Sequence, residues 1–377
     1  MNFKKTLPFI LISGFVFIVF YLLENINQRF WLNDFRVYYS AASAFIKGEN
    51  FYQQVYGEDT GLYKYAPSIL ILFIPFALLP FHFACSVYFF FNSAIIIFTI
   101  LMCLKIVLKM TEEVKIKKPS LILSLIFICC LNHLIRELHL GNVNMLVLGL
   151  IIGAMFSTLN DKNSLAGILL GISILFKPYL LLILVPFLLH RRIKILMFIL
   201  LTLLFSYILL ASIKGINRAM DLHTAWYEAV KYHNETLTSF HTIISILNTN
   251  LSFNIPNFFQ FILALIIVSL YSILFFLYSK KIIGHPKETM ILIMSSFVLL
   301  SFIPNLLITD TEHFLFSYSK IILKEEIRQS DLLEDPFFAS YMKHAFPLIL
   351  NKKYGDFRSN AGDICILKEA ARQIVTI

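Results

Sequence analysis

Long runs of uncharged, apolar residues recur along the chain and restrict the folds it can adopt. An α-helix needs about 20 apolar residues to cross the hydrocarbon core of a bilayer, with a range of roughly 17 to 25. Six runs have a suitable length, at 6–23, 83–104, 143–160, 195–213, 257–279 and 289–309. A seventh run, at 119–134, is slightly shorter. The sequence therefore predicts an all-α polytopic membrane protein.

Shorter apolar runs raise the expected number of membrane helices to about nine or ten. Runs 163–176 and 178–189 are separated only by Lys177, which indicates a hairpin of two half-length helices. Run 67–79 contains Pro75 and, with run 83–104, lies between loops assigned to opposite sides. An odd number of crossings is required there. Run 67–79 is therefore re-entrant, or one basic loop breaks the charge rule described below.

Composition agrees with a membrane protein and excludes several functions. Of the 377 residues, 58% are hydrophobic and 15% are charged, whereas about 25% are charged in typical soluble domains. The net charge of +9 is explained by cytoplasmic loops, which are rich in Lys and Arg. We find no basic stripe with stacking aromatics, no phosphate-binding glycine loop and no metalloprotease or serine hydrolase motif. The sequence therefore predicts no nucleic acid, nucleotide, cofactor or metal.

Basic segments predict the orientation of the helices. Lys4, Lys5 and segments 105–118, 190–194 and 280–287 carry most of the loop lysines and arginines, so we assign them to the cytoplasmic side. Loops 24–66, 136–142, 215–256 and 309–313 then lie outside. Charged residues become frequent near Lys320. This change predicts a membrane domain at 1–319 and a polar C-terminal tail at 320–377.

The first outer loop is predicted to contain an amphipathic helix at 36–47. Val37, Ala41, Ala44 and Phe45 recur at spacings that place them on one helical face. We expect this helix to lie flat on the outer surface of the membrane.

Polar residues that suggest chemistry collect on the predicted outer side. They are Asp34, Arg36, Tyr38, Tyr39, Arg136, His139, Asn142, Asn144, Asp310, Glu312 and His313, with Lys177 at the tip of the hairpin. A lysine at the bilayer centre costs about 2.5–3.5 kcal/mol on the insertion scale and usually faces a cavity or an anion. Simpler interpretations stay open. Asp34 is also a favoured helix cap, the tyrosines suit an interfacial belt, and 310–313 suits a solvated turn.

Sugar transfer from a lipid phosphate would use such a set of side chains. A cation at membrane depth stabilises a phosphate leaving group, and a carboxylate can take the proton from an acceptor hydroxyl. Amides and tyrosines would hold the sugar hydroxyls. The reaction needs no nucleotide, which agrees with the lack of phosphate-binding loops.

Four segments carry a resemblance to a known family. They are "DFRVYYSAASAFIKGENFY", "YAPSILILFIPFALLP", "LGNVNMLVLGLIIGA" and "LAGILLGISILFKPYLLLIL". Over roughly residues 7 to 315 the chain resembles the integral-membrane GT-C glycosyltransferases, specifically glycosyltransferase family 87. That family includes bacterial polyprenol-phosphate-mannose-dependent α-mannosyltransferases. The family's usual Gly-Gln-x-Asn is here Gly141-Asn142-Val143-Asn144, and the family continues with more membrane where this chain turns polar.

The resemblance implies a hexosyltransferase with a GT-C-like bundle. Its donor would be a polyprenyl-phosphate-linked sugar, mannose being favoured, and its acceptor a lipid or a glycan. It implies that Asp34 is the catalytic base and that Lys177 lies near the donor phosphate. It also implies a bacterial inner membrane location, with the active site facing the extracytoplasmic side. Two alternatives stay open, a secondary transporter that uses Lys177 and Asp34, and a degenerate, non-catalytic family member.

Overall fold

The protein is helical throughout the part of the chain that the structure describes. The computed structural model describes residues 3–30, 32–56, 61–110 and 118–236, with isolated helical positions between 259 and 292. Helices make up 84% of the described structure, which holds no strand. The all-α prediction is therefore confirmed. The helices are α1 (Leu7–Ile26), α2 (Asn33–Lys47), α3 (Leu70–Ala77), α4 (Phe81–Met110), α5 (Pro119–Leu140), α6 (Asn144–Leu159), α7 (Asn163–Phe176), α8 (Leu184–Leu189), α9 (Ile193–Lys214) and α10 (Ile216–Thr236).

Four helices are long and apolar enough to cross a bilayer, which confirms a polytopic membrane protein. Helices α1, α4, α5 and α9 contain apolar segments of 20 to 29 residues. At roughly 1.5 Å per residue these segments measure about 30 to 44 Å, and the hydrocarbon core is about 30 Å thick. The predicted spans at 257–279 and 289–309, and the tail at 320–377, lie outside the described residues apart from isolated positions.

Helix α6 is shorter than the span predicted at 143–160. It has 16 residues and measures about 24 Å at 1.5 Å per residue. Helix α7, with 14 residues, measures about 21 Å on the same basis. The helix thus matches the apolar run at 143–160 to within one residue at each end, between the turn at Gly141–Val143 and Asn160, but it is shorter than the four long apolar helices.

Helices α1 and α5 run parallel to each other. The Phe9 and Phe127 rings pack edge to face in the first halves of the two helices. Near the other ends, the Glu24 carboxylate pairs with the His139 imidazole.

Helices α4 and α6 are also parallel. Asn92, in the first half of α4, donates its side-chain amide to the carbonyl of Asn142, just before α6. At the far end, the Lys109 ammonium donates to the carbonyl of Leu159, in the last turn of α6. Helix α5 connects these two helices and therefore runs in the opposite direction to both.

Parallel packing of α7 and α9 confirms the predicted hairpin at Lys177. A Cβ at Gly167 would lie 2.6 Å from the carbonyl oxygen of Ile195, and one at Gly171 would lie 2.7 Å from the Cβ of Thr202. The two helices thus touch in the same order along the chain. Residues 178–189, which form a 3₁₀ turn at Pro178–Ile183 and then α8, must therefore run back along the bundle.

These directions define two ends of the bundle, called here the basic end and the α2 end. The basic end contains the starts of α1, α5, α7 and α9, together with Lys4, Lys5, Lys109, Arg191 and Arg192. The α2 end contains α2, the turn between α5 and α6, and Lys177. The predicted separation of the basic segments from Asp34, Asn142 and Lys177 is thus confirmed for the described residues.

The re-entrant interpretation of run 67–79 is the one that the structure supports. Before this segment, the hydroxyl of Tyr38 in α2 hydrogen-bonds the hydroxyl of Tyr65 at 3.2 Å. After it, the hydroxyl of Tyr39, also in α2, donates to the carbonyl of Leu79 at 2.8 Å. Pro67–Ala77 measures only about 18 Å. Both of its ends meet α2, so the segment returns to the side from which it came.

The predicted amphipathic helix is confirmed as α2, which begins three residues earlier than expected. The four residues assigned to one face are buried, as are Phe35, Tyr38 and Ala42. Gly48, with φ of 79°, ends the helix. The Lys214 ammonium, at the end of α9, donates to the carbonyl of Phe45 and so fixes α2 to the membrane helices.

We expect labelling to distinguish the two ends of the bundle. In a variant without the five native cysteines, Glu49→Cys and Lys162→Cys should react with a membrane-impermeant maleimide from opposite sides, because both positions are exposed and lie at opposite ends. The measurement is labelling in intact cells and in inverted vesicles. Equal labelling of the two positions in either preparation would contradict the arrangement.

Candidate functional site

Asp34 lies in the first turn of α2, at its N-terminal end. Leu32 occupies the N-cap position, and it makes no side-chain capping bond. The interpretation of Asp34 as an N-cap is therefore wrong. Its half-buried carboxylate instead occupies the first turn, where the helix dipole favours negative charge. Tyr38 follows one turn later on the same face.

Close packing at Gly141 fixes the position of this carboxylate. Gly141 has φ of +67°, and a Cβ placed there would lie 2.9 Å from the Cβ of Phe35 and 3.1 Å from the Cβ of Leu32. Any other residue would strain the backbone and push α2 away. The start of α2 therefore sits directly on the turn between α5 and α6.

Tyr88 of α4 joins α2 to the same turn. Its ring stacks on the Phe35 ring with centroids 4.2 Å apart, and its hydroxyl donates to the carbonyl of Asn142 at 3.4 Å. Tyr88 thus contacts both the start of α2 and the turn that carries Asn142.

Asn142 stabilises the turn through both of its carbonyl oxygens. Its backbone oxygen accepts from the Asn92 side chain at 2.9 Å. Its side-chain oxygen accepts from the backbone N–H of Asn144 at 3.1 Å, which satisfies one of the free donors at the start of α6. Asn142 is 5% exposed, so its position is set by these contacts.

A buried chain of polar side chains lies behind the turn. The Lys177 ammonium donates to the Asn144 side-chain oxygen at 2.5 Å. The Asn144 amide nitrogen donates in turn to the Glu137 carboxylate at 3.2 Å. Lys177 is 9% exposed, and the other two residues are each 2% exposed. We call Glu137, Asn144 and Lys177 the buried polar chain.

The buried polar chain lies where two short helices meet. It joins the start of α6 to the end of α7, and these helices measure about 24 and 21 Å. Both are shorter than the hydrocarbon core, which is about 30 Å thick. Lys177 is 9% exposed, and an unpaired charge in so buried a position is costly.

The tyrosines of the first loop are buried. Tyr38, Tyr63 and Tyr65 are at most 4% exposed, so the interpretation of these residues as an interfacial belt is wrong. The Tyr63 hydroxyl donates to the carbonyl of Ala66, and burial raises the pKa of Tyr38 well above its usual value near 10, with smaller contributions from Tyr65 and Asp34. These rings pack together because the loop folds over the ends of α2 and α7.

The remaining predicted residues lie around this centre. Arg36 is exposed, with its guanidinium 5.1 Å from the centroid of the Phe81 ring. Tyr39 is half-buried and donates to the Leu79 carbonyl. Arg136 is exposed, and His139 pairs with Glu24 as described above. Asp310, Glu312 and His313 lie outside the described residues.

Sequence reasoning missed three residues of the site, Glu137, Tyr88 and Asn92. Tyr88 and Asn92 lie within the run predicted as a membrane helix at 83–104, and Glu137 lies in the loop predicted at 136–142. Tyr88 and Asn92 are four residues apart and so share a helical face; this spacing was a usable signal. Among the described residues, no three His, Cys, Asp or Glu side chains lie close enough to share a metal ion.

The helical membrane bundle defines an integral-membrane protein with a cluster of buried polar side chains at one end. The family model of glycosyltransferase family 87 matches residues 63–307. This match covers most of the chain, and the protein belongs to that family. It is therefore a glycosyltransferase by family. The match includes Glu137, Asn144 and Lys177, whereas Asp34 precedes it.

A second family model matches a short C-terminal segment. Residues 312–359 are similar to the C-terminal region of glutamate dehydrogenase. This segment overlaps the predicted polar tail. A search of curated proteins found no significant match.

We expect Gly141→Ala to destabilise the protein and to lower its transferase activity. A left-handed backbone costs a non-glycine residue about 1–2 kcal/mol, and the added Cβ would also displace Phe35 and with it Asp34. Gly48→Ala is the matched control, because Gly48 has φ of +79° but no neighbour within 4 Å. Thermal unfolding in detergent should show a larger loss for Gly141→Ala. Equal decreases in Tm for the two variants would mean that the close packing at Gly141 does not stabilise the protein.

Proposed function

We propose that the protein transfers a hexose from a polyprenyl-phosphate donor to a lipid or glycan acceptor on the extracytoplasmic side of a bacterial inner membrane. One observation carries the proposal. A carboxylate in α2, amides in the turn and an ammonium at the hairpin tip converge at the end of the bundle opposite the basic segments. Because basic loops favour the cytoplasm, the α2 end is the extracytoplasmic one.

The depth of Lys177 suits a lipid-linked donor. The polyprenyl tail lies in the bilayer and holds its phosphate at or just below the surface. The buried ammonium at the end of α7 can meet that phosphate without the donor leaving the membrane. A water-soluble nucleotide sugar would gain nothing from a cation at this depth.

The proposed reaction is a single displacement with inversion at the anomeric carbon. The acceptor oxygen forms a bond to this carbon and gives its proton to the Asp34 carboxylate. The bond between the anomeric carbon and the phosphate oxygen breaks, and its electron pair leaves with the lipid phosphate. The charge on that phosphate grows as it leaves, so a nearby ammonium stabilises the transition state more than the ground state.

The choice of sugar follows from the family resemblance, and the residues expected to bind it follow from their chemistry. Mannose is favoured because family 87 includes enzymes that use polyprenol-phosphate mannose. Asn142, Asn144, Tyr38 and Tyr39 were predicted to hold the donor. Their side chains already support the fold through the contacts described above, so we assign them to shaping the site. Arg36, exposed beside Asp34, is then a candidate for contact with the donor. The proposal requires no metal and no cofactor.

We expect Asp34→Asn to lower turnover by about 10²–10⁴-fold, which is the usual contribution of a positioned general base. The measurement is transfer of radiolabel from polyprenyl-phosphate sugars to glycolipid or glycan in membranes that contain the protein. Asp161→Asn is the matched control. It makes the same chemical change at an exposed turn of the basic end, and the backbone there is left-handed, a conformation that Asn tolerates.

Wild-type turnover in Asp34→Asn would refute this role. The base would then have to be sought elsewhere, with Asp310 and Glu312 the remaining predicted carboxylates. No label transfer by the wild-type protein with any lipid-linked sugar would favour the degenerate alternative instead.

We expect Lys177→Met to reduce transfer by about 10²–10³-fold, the usual effect of removing one group that stabilises developing charge. The leaving phosphate would then face an apolar side chain. Lys177→Arg is the paired variant, because it keeps the charge at the hairpin tip. The two are compared by the rate of sugar release from the lipid phosphate. Similar losses in both variants would indicate that shape, and not charge, matters at this position.

A further inference from the structure

We infer that Glu137 is a positioning residue. It holds the Lys177 ammonium in place through the Asn144 amide, so that the ammonium can exchange Asn144 for the donor phosphate as its hydrogen-bond partner. The inference rests on the proposed function, since it concerns the same phosphate. It assigns a role to a carboxylate that sequence reasoning did not identify.

Glu137 is too deeply buried to act on the acceptor. It is 2% exposed and belongs to the last turn of α5, behind the turn that carries Asn142. An acceptor hydroxyl entering from the surface would meet the half-buried Asp34 first. A general base must come within hydrogen-bond reach of the proton it removes, so Glu137 serves the site through other residues.

The donor and acceptor properties of the three groups fix the direction of the hydrogen bonds in the buried polar chain. Lysine can only donate hydrogen bonds, and an ionised carboxylate can only accept them. The Asn144 amide has one donating end and one accepting end. Its oxygen must therefore face Lys177 and its nitrogen must face Glu137, as the structure has them. With Glu137 present, a flipped amide would lose both hydrogen bonds.

The negative charge of Glu137 offsets the cost of burying the ammonium. An isolated charge in an apolar environment is expensive unless it is paired or hydrogen-bonded. Removing one member of a buried pair is strongly destabilising, because the other charge stays behind. Glu137 supplies the opposite charge at a distance of one amide, so Lys177 can stay protonated in the apolar layer before the donor arrives.

The intervening amide also keeps the ammonium exchangeable. Hydrogen bonds between two charged groups are roughly twice as strong as those with a neutral partner. A carboxylate directly on Lys177 would compete with the donor phosphate for the same ammonium. A neutral Asn144 competes less. The buried polar chain thus assigns two roles to two residues. Glu137 provides the negative charge, and Asn144 provides the direct hydrogen bond to Lys177.

Moving the negative charge from position 137 to position 144 tests whether the charge and the direct hydrogen bond must come from different residues. Glu137→Gln removes the charge, and Asn144→Asp places a carboxylate directly against Lys177. The double variant Glu137→Gln with Asn144→Asp has the same net charge as the wild type. It also keeps the hydrogen-bond chain, since the introduced glutamine amide can donate to the introduced carboxylate, and that carboxylate can accept from Lys177. Glu228→Gln, on the exposed side of α10, is the control for the chemical change.

We expect the double variant to regain the Tm that both single variants lose, while its KM for the lipid-linked donor stays about tenfold above wild type. The factor reflects a charged competitor in place of a neutral one. The KM for the acceptor should be unchanged, and Glu228→Gln should match the wild type throughout. A double variant with wild-type Tm and wild-type donor KM would overturn the inference, because Glu137 would then only balance charge. A wild-type donor KM in Glu137→Gln would also overturn it.

Binding of polyprenyl phosphate, measured as thermal stabilisation in lipid–detergent micelles, separates this inference from the proposed function. If the wild type binds this lipid but transfers no sugar, while the double variant binds about tenfold more weakly, the inference stands and the proposed function fails. If the wild type transfers sugar and the double variant uses the donor normally, the proposed function stands and the inference fails. If the wild type neither transfers sugar nor binds the lipid, both fail.

Discussion

Burial of the Lys177 ammonium is the constraint on which the rest of the site depends. A charge at this depth is tolerated only where the surrounding protein supplies polar groups. Here they come from the last turn of α5 and the first turn of α6, as Glu137 and Asn144. The α5–α6 turn must therefore lie level with the hairpin tip, and the short lengths of α6 and α7 follow from that requirement.

The second constraint is steric and concerns the turn itself. Gly141 allows α2 to approach so closely that Phe35 and Leu32 touch its backbone. Asp34 is one residue from this contact, so its carboxylate is held in place by packing even though it lies near the surface. Hydrogen bonds on one side of the turn and close packing on the other thus hold Lys177 and Asp34, which are far apart in the chain, at the same end of the bundle.

The sequence predicted the helices well because apolar run length is a direct consequence of bilayer thickness. Runs 6–23, 195–213 and the Lys177 hairpin correspond closely to observed helices, and α2 matched its predicted face. Side-chain partners were harder to predict. The loop tyrosines are as apolar as they are polar, so the same residues suit a lipid interface or a buried cluster, and only their tertiary neighbours decide.

The sequence predicted most residues of the site but not the contacts between them. Asp34, Asn142, Asn144 and Lys177 were identified because each is polar beside an apolar run. Glu137 was overlooked for a physical reason. A carboxylate near the end of a helix usually faces water, whereas Glu137 is buried and bonded to Asn144 of another helix, a tertiary contact that one-dimensional patterns do not show.

The glycine contacts between α7 and α9 have a consequence for how the protein can change. Gly167 and Gly171 bring two backbones together with no room for a side chain, a common mode of helix association in membranes. They carry no functional group and lie up to about 15 Å along α7 from Lys177. Yet they set the position of α7 against α9, and α7 ends at Lys177. Substitutions at α7 positions that face α9 should therefore be poorly tolerated, although these residues carry no functional group.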